Sequence, residues 1–392
     1  AGLNALGAAT SGDDNVAIGR LALGAGTLTG GVNIAIGATA GDAITSGACN
    51  IAIGLNALTA STDGCDNIAI GKSAMGTGDV SGVDNVGIGR EAGNDLTSGI
   101  ENVFVGTGSG GNSTTGCRNI ALGSNTLGGA ITTGNNNIAL GFNAIDALTS
   151  GACNIAMGVN ALGAATIGVR NIAIGEAAMS GVTTGQADDN IAIGRGALIG
   201  AAGTTGNQNI AIGVNAADAL TSGACNIAMG ETAYGAATTG HYNVAIGYNS
   251  IGTGVTTGEM NVAMGVSSLA AVTGGNCNVA IGRSAVNALT TGCHNVGIGG
   301  AALGGAVVTG NHNVGIGGSA ADAITSGACN VAIGKDALGA ATTACDNIAI
   351  GQLALGAGIT TGANNIAIGI SAMDARTSGA NNIGLGKNAL GA

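Results

Sequence analysis

One pattern of apolar and polar positions runs through this chain: asparagine, Ile or Val, a small residue, a second aliphatic, glycine. It starts at Asn15, Asn33, Asn50 and Asn67 and at eighteen further asparagines, among them Asn154, Asn226 and Asn330, ending at Asn382. The 22 units recur at a mean spacing of about 17.5 residues. Counting from each asparagine, position +1 is always Ile or Val, +3 is always Ile, Leu, Val or Met, and +4 is always Gly. Position +2 is Ala or Gly, with Phe104 the single exception. Alternation with period two predicts a β-strand with one aliphatic face. Ala, Ser or Thr follows at +7 and usually a larger aliphatic at +8. A Thr-Thr-Gly or Thr-Ser-Gly turn then leads to the next asparagine. A unit of this length has room for two short strands and two turns.

A fixed period of this kind is the signature of a stacked repeat. The sequence therefore predicts an all-β parallel β-solenoid (a β-roll) of about 22 coils of 17–19 residues, continuous over 1–392. Spacings cycle 17, 18, 17, giving a longer period of 52, but between Asn154 and Asn226 they run 17, 19, 19, 17. One extra unit is absorbed there, so the single unit is the structural quantum. Stacked at ~4.8 Å per coil, such a chain makes a rod on the order of 100 Å long. The asparagines are expected to form a ladder of hydrogen-bonded amides, as identical side chains do in cross-β stacks. Glycine at +4 implies a positive φ or a close backbone approach. The small +2 column (Ala17, Ala35, Ala52, Ala69 and their equivalents) is unlike a wet strand face. It predicts either tight packing within the coil or a flat interface between copies of the chain, and the interface is the reading adopted from the sequence.

Composition narrows the class. Of 392 residues 78 are Gly and 8% are charged, with no Pro, no Trp and 1% aromatic, far from the usual globular balance. Abundant aliphatics argue against disorder, and the missing proline and Gly-X-Y period exclude collagen. A net charge of −11 with ten scattered basic residues argues against nucleic acid, which is bound by neutralising phosphates. No apolar run approaches the ~20 residues of a membrane helix, so membrane insertion is not expected of this segment. The opening AGLNALG stands in mid-pattern, as expected of a segment of a longer protein.

The strings NIAIGLNAL (Asn50 to Leu58) and TTGNNNIALG (Thr132 to Gly141) resemble the head repeats of YadA-like trimeric autotransporter adhesins and related bacteriophage tail-fibre repeats. The likeness covers all 22 units and rests on the Asn-aliphatic-Ala-aliphatic-Gly-x-x-Ala core. It implies a homotrimer of parallel β-rolls, carried on a bacterial surface or a virion and acting in attachment to a surface glycan or cell-surface receptor. The chain departs from that pattern in its longer units, its nine cysteines and the absence of a coiled-coil stalk, membrane anchor or fibre-tip domain.

Cysteine is the foremost chemical candidate. Five precede the ladder asparagine directly (Cys49, Cys153, Cys225, Cys277, Cys329) and four stand two places before it (Cys65, Cys117, Cys293, Cys345). The pairs Cys49/Cys65, Cys277/Cys293 and Cys329/Cys345 fall in adjacent coils, with Cα atoms expected roughly 6 Å apart, inside the disulfide window. Neighbouring positions of an extended segment point opposite ways, however, with −1 expected outside and −2 inside, so free thiols, inter-coil disulfides, and cross-links between chains or a bound metal all stay open. There is no CxxC to suggest zinc. His241, His294 and His312 fall at −1 or −2 and read as exposed bystanders. Gly106-Thr107-Gly108-Ser109-Gly110-Gly111 matches GxGxxG, but without a following helix it is no dinucleotide site. No cofactor is expected.

Tyr242 and Tyr248 are the best candidates for a carbohydrate contact. Paired threonines at the corner, Thr149, Thr166 and Thr183 among them, suggest an alternative, an ice-binding solenoid with a threonine ladder. A second alternative is a self-assembling sheath or filament subunit. Every column repeats and no position gathers unlike polar groups, so no enzyme is expected. The reading from sequence is a rigid extracellular or virion rod that mediates attachment.

Overall fold

The computed structural model describes residues 2–7, 9–24, 26–182, 187–200, 205–356, 361–375 and 378–391. Regular structure among them consists of 22 β-strands of three residues each. Two compact units divide the chain. The first carries β1 (Val16–Ile18) to β11 (Ile191–Ile193), the second β12 (Ile210–Ile212) to β22 (Ile383–Leu385). Within each unit every strand pairs in parallel with the strand of the next coil, without a register shift. Ile34, Ala35 and Ile36 face Ile51, Ala52 and Ile53, and Ile227, Ala228 and Met229 face Val244, Ala245 and Ile246. Each unit is a parallel β-solenoid.

A coil holds one short strand, where two had room by length. Left-handed backbone ends it. Positions +6, +8 and −1 have φ near +55° in coil after coil, as at Asn56, Leu58 and Asp66. A left-handed L-residue costs roughly 1–2 kcal/mol, yet even Ile145 and Val286 adopt it. Coil-to-coil hydrogen bonds offset that cost: Leu58 N–H donates to the Ala74 carbonyl (2.9 Å), and Asp66 N–H to the Ala48 carbonyl (3.0 Å). The Gly column at +4 lies where only glycine fits. Gly54 has φ +135°, and a Cβ there would stand 2.5 Å from the Gly71 carbonyl oxygen of the next coil.

The core runs along the inside of each unit and is made of small pieces. Ala52, Ala57 and Leu58, at +2, +7 and +8, are buried, and so are Ala35 and Ala69. Ala17, in β1, is half-buried. The +2 column thus lies within the single chain, which corrects the expectation that Ala17, Ala35, Ala52 and Ala69 form a surface between chains. A 17-residue coil with three left-handed turns encloses too little room for two large aliphatics per strand. Alanine goes in, and the Ile and Val on either side go out. Phe104 shows the same direction from the other side: it is fully buried, and Gly93 and Gly110 stand where their side chains would meet its ring.

Candidate functional site

Three side-chain columns carry the chemistry of each coil. The innermost is the asparagine ladder. Asn33 Oδ1 accepts the backbone N–H of Asn50 (3.0 Å) and its Nδ2 (3.1 Å), while Asn50 Nδ2 also donates to the Gly64 carbonyl (2.7 Å). The pattern continues through Asn67 and Asn154, then in the second unit through Asn226 and Asn330. Asn15, half-buried at the first coil, accepts the Asn33 N–H through Oδ1 (2.8 Å). Buried amides this fully paired are structural, because losing one partner strands the other.

Position −2 forms a second ladder. Its side chain accepts the backbone N–H of the −2 residue one coil earlier: Asn135 Oδ1 from Cys117, Asp188 Oδ1 from Val169, His241 Nδ1 from Ala224. The −2 cysteines do the same with sulfur. Cys65, Cys293 and Cys345 Sγ accept from Ala48, Asn276 and Ala328, each at 3.4 Å. Cys117 Sγ donates to the Thr115 carbonyl. These thiols sit at the corner and are only half-buried, rather than facing inward. All nine cysteines are free thiols, so the pairs Cys49/Cys65, Cys277/Cys293 and Cys329/Cys345 are unbridged. Of the −1 cysteines, Cys49, Cys153 and Cys329 are exposed and Cys225 and Cys277 half-buried. Charges at −1 pair along the same column, Arg170 with Asp189 (2.6 Å) and Arg118 with Glu101 (3.6 Å).

The outward strand face is the largest apolar feature. Columns +1 and +3 stand side by side, roughly 7 Å apart, with one step of ~4.8 Å per coil. Ile36, Ile88 and Met157 in the first unit are 36–41% exposed, and Met229, Met264 and Ile368 in the second are 39–40% exposed. Eleven coils per unit make a strip on the order of 500 Å², at the upper end of apolar patches on monomeric proteins. Glycine at +4 borders it, followed at +5 by exposed Leu55, Phe142, Val159 and Ile370 among basic residues. Sequence reasoning missed this face because period two does not say which side is in.

Tyr242 and Tyr248 are exposed at opposite ends of β14 (Val244–Ile246), with the His241 ring 6.3 Å from Tyr242 and tilted by 45°. Threonine hydroxyls at the corner are committed to backbone: Thr149 Oγ1 donates to the Thr166 carbonyl (2.9 Å) and Thr221 Oγ1 to Thr238 (3.0 Å). Thr183 lies outside the described residues. A shallow notch of about 310 Å³ is lined by Asn143, Asp146, Asn160 and Ser180 among small residues. Burial there raises the Asp146 carboxyl above its ordinary value, with the Gly129 backbone acting against it. Among the described residues no three His, Cys, Asp or Glu side chains converge on a point, and no helix is long and apolar enough to cross a membrane.

No family model matches the chain, and no curated protein matches it.

Proposed function

We propose that this chain is a non-enzymatic structural segment of an attachment fibre, assembled from identical copies and displayed on a cell surface or a virion. The outward face of Ile, Val and Met carries this reading. Charge is absent from both columns, the spacing is regular, and water is an unfavourable neighbour. Covering on the order of 500 Å² per unit contributes roughly 10 kcal/mol gross, before the cost of association. A second copy offers a matching surface: the same rise per coil, the same two columns, the same flanking glycine. Two columns per chain suit a homotrimer, in which +1 packs on one neighbour and +3 on the other. The exposed −1 and +5 columns then remain outside, where Tyr242 and Tyr248 are available to a surface glycan or receptor.

The test is mass in solution by light scattering, under reductant. A value of three times 36.4 kDa is the expected outcome. Changing Ile36, Ile53 and Ile70 to Glu should release monomer with unchanged circular dichroism. A wild-type monomer would overturn the assembly. Thermal hysteresis in that monomer would then favour ice binding.

A further inference from the structure

In the second unit, column −1 holds Cys277, His294, His312 and Cys329 in four consecutive coils. The backbone fixes their alignment. Their N–H groups donate in turn to the carbonyls of Glu259, Asn276, Cys293 and Asn311 at 3.0–3.1 Å. All four have φ of 57–60°, so the side chains leave the coil in the same direction. The two imidazoles stack at 4.9 Å with 18° between their planes. His294, His312 and Cys329 are exposed and Cys277 is half-exposed. None of the four side chains makes a hydrogen bond among the described residues, unlike His241 and Cys293, whose Nδ1 and Sγ serve the −2 ladder.

We propose that His294 and His312 bind a zinc ion, with one flanking thiolate, from Cys277 or Cys329, as third ligand and water as the fourth. Imidazole nitrogen and thiolate sulfur are the donors that zinc prefers, at ~2.0–2.1 and ~2.3 Å. Adjacent coils lie ~4.8 Å apart, so tilting the exposed rings brings a nitrogen from each to one ion. A thiol one coil further on reaches the same ion from the side. Four ligands in line span about 14 Å, too far for one ion, so only one thiolate takes part at a time. Binding releases the thiol proton to solvent and changes no oxidation state. As the side chains stand, no three donors converge, so the site closes on the metal.

The full-length chain, reduced, is titrated with Zn²⁺ against a chromophoric chelator, and Co²⁺ is used as a spectroscopic substitute. His294→Asn with His312→Asn is the decisive variant, since asparagine already holds this left-handed position at Asn136, Asn364 and Asn381. The expected result is one fewer bound equivalent per chain than wild type, while His241→Asn keeps the wild-type number. Cys277→Ser with Cys329→Ser should abolish the thiolate-to-cobalt charge-transfer band of that equivalent. The same number and affinity of sites in the double histidine variant would overturn the proposal. An unchanged cobalt spectrum in the double cysteine variant would overturn its mixed nitrogen–sulfur character.

Discussion

A Cβ on Gly110 would stand 2.5 Å from Cδ1 of Phe104. Phe104 occupies the inward +2 column where all the remaining coils have Ala or Gly, and Gly110 occupies +8, where most coils have a large aliphatic. One large side chain has moved from one wall of the coil to the other, with volume conserved. Phe104→Ala alone should therefore cost about 3–5 kcal/mol as a cavity. Gly110→Leu alone should overpack the coil and cost about 1–3 kcal/mol or more. Combined, they restore the common pattern, and the double variant should be more stable than either single one. Denaturant unfolding of the three variants checks this; simple additivity would contradict the size exchange.

The asparagine ladder makes a sharper demand. Asn85 Oδ1 accepts from both the N–H and Nδ2 of Asn102 at 3.0 Å, and its Nδ2 donates to Asn67 Oδ1 (3.0 Å) and the Gly99 carbonyl (2.9 Å). Asn85→Ala leaves buried partners on both sides unpaired, at a cost of about 2–4 kcal/mol. Because each coil touches only its neighbours, the damage should stay local and uncouple the coils on either side. Hydrogen exchange should show the Asn102 amide losing protection while amides several coils away keep theirs.

Coil length, parallel stacking and the ladder were legible in the sequence because each is a column property: 22 units with invariant Asn and Gly admit few other folds. The facing of the strand was not. Isoleucine beside alanine normally means isoleucine inward, and that inference fails here because the coil is too narrow. The sequence did contain the clue, since the one large +2 residue, Phe104, coincides with Gly93 and Gly110. The left-handed +6, +8 and −1 positions were illegible, because Leu, Ile and Val give no sign of a positive φ that coil-to-coil bonds impose. The His294–His312 stack was hidden for a simpler reason. Residues 18 apart touch only once the register is fixed.

Two glycines predict opposite responses to the same change. Gly106 has φ +133°, and its Cβ would lie 2.4 Å from the Gly123 carbonyl oxygen. Gly300, at +5, has nothing within 4 Å of the added atom. Gly106→Ala should cost about 3 kcal/mol or more, since a strained backbone and a backbone clash coincide. Gly300→Ala should stay within about 0.5 kcal/mol of wild type. Thermal melts of the two variants separate the outcomes.

The two classes of cysteine predict two classes of reactivity. Cys49, Cys153 and Cys329 stand exposed at −1, whereas Cys65, Cys293 and Cys345 hold corner hydrogen bonds through Sγ. Alkylation under native conditions should label the first three fastest, with the half-buried, hydrogen-bonded −2 thiols modified more slowly. Peptide mapping after timed quenching reads the order directly. Equal rates at Cys49 and Cys65 would contradict the division.

Acid should stabilise this chain before it harms it. Asp146, Asp218 and Asp322 all stand nine residues after a ladder asparagine. Burial holds each carboxyl above the ordinary 3.8, helped at Asp322 by the charge of Asp336. The folded state therefore binds more protons than the unfolded one between 3.8 and the raised folded values. Stability then rises as pH falls through the folded pKa, is complete below the unfolded pKa, and is lost as pH rises again. Asp189 has the opposite sign, since its hydrogen bond to Arg170 holds it below the usual range. Its contribution is present above the unfolded pKa and lost as pH falls through the folded one, but that pair is exposed and solvent screens it. The three half-buried carboxylates should set the direction, with Tm rising from pH 7 toward pH 4. Asparagine already occupies the same column at Asn94 and Asn287. Changing all three aspartates to Asn should therefore raise Tm at pH 7 and flatten the profile. A variant that melts lower than wild type at pH 7 would show that the ionised carboxylates are structural.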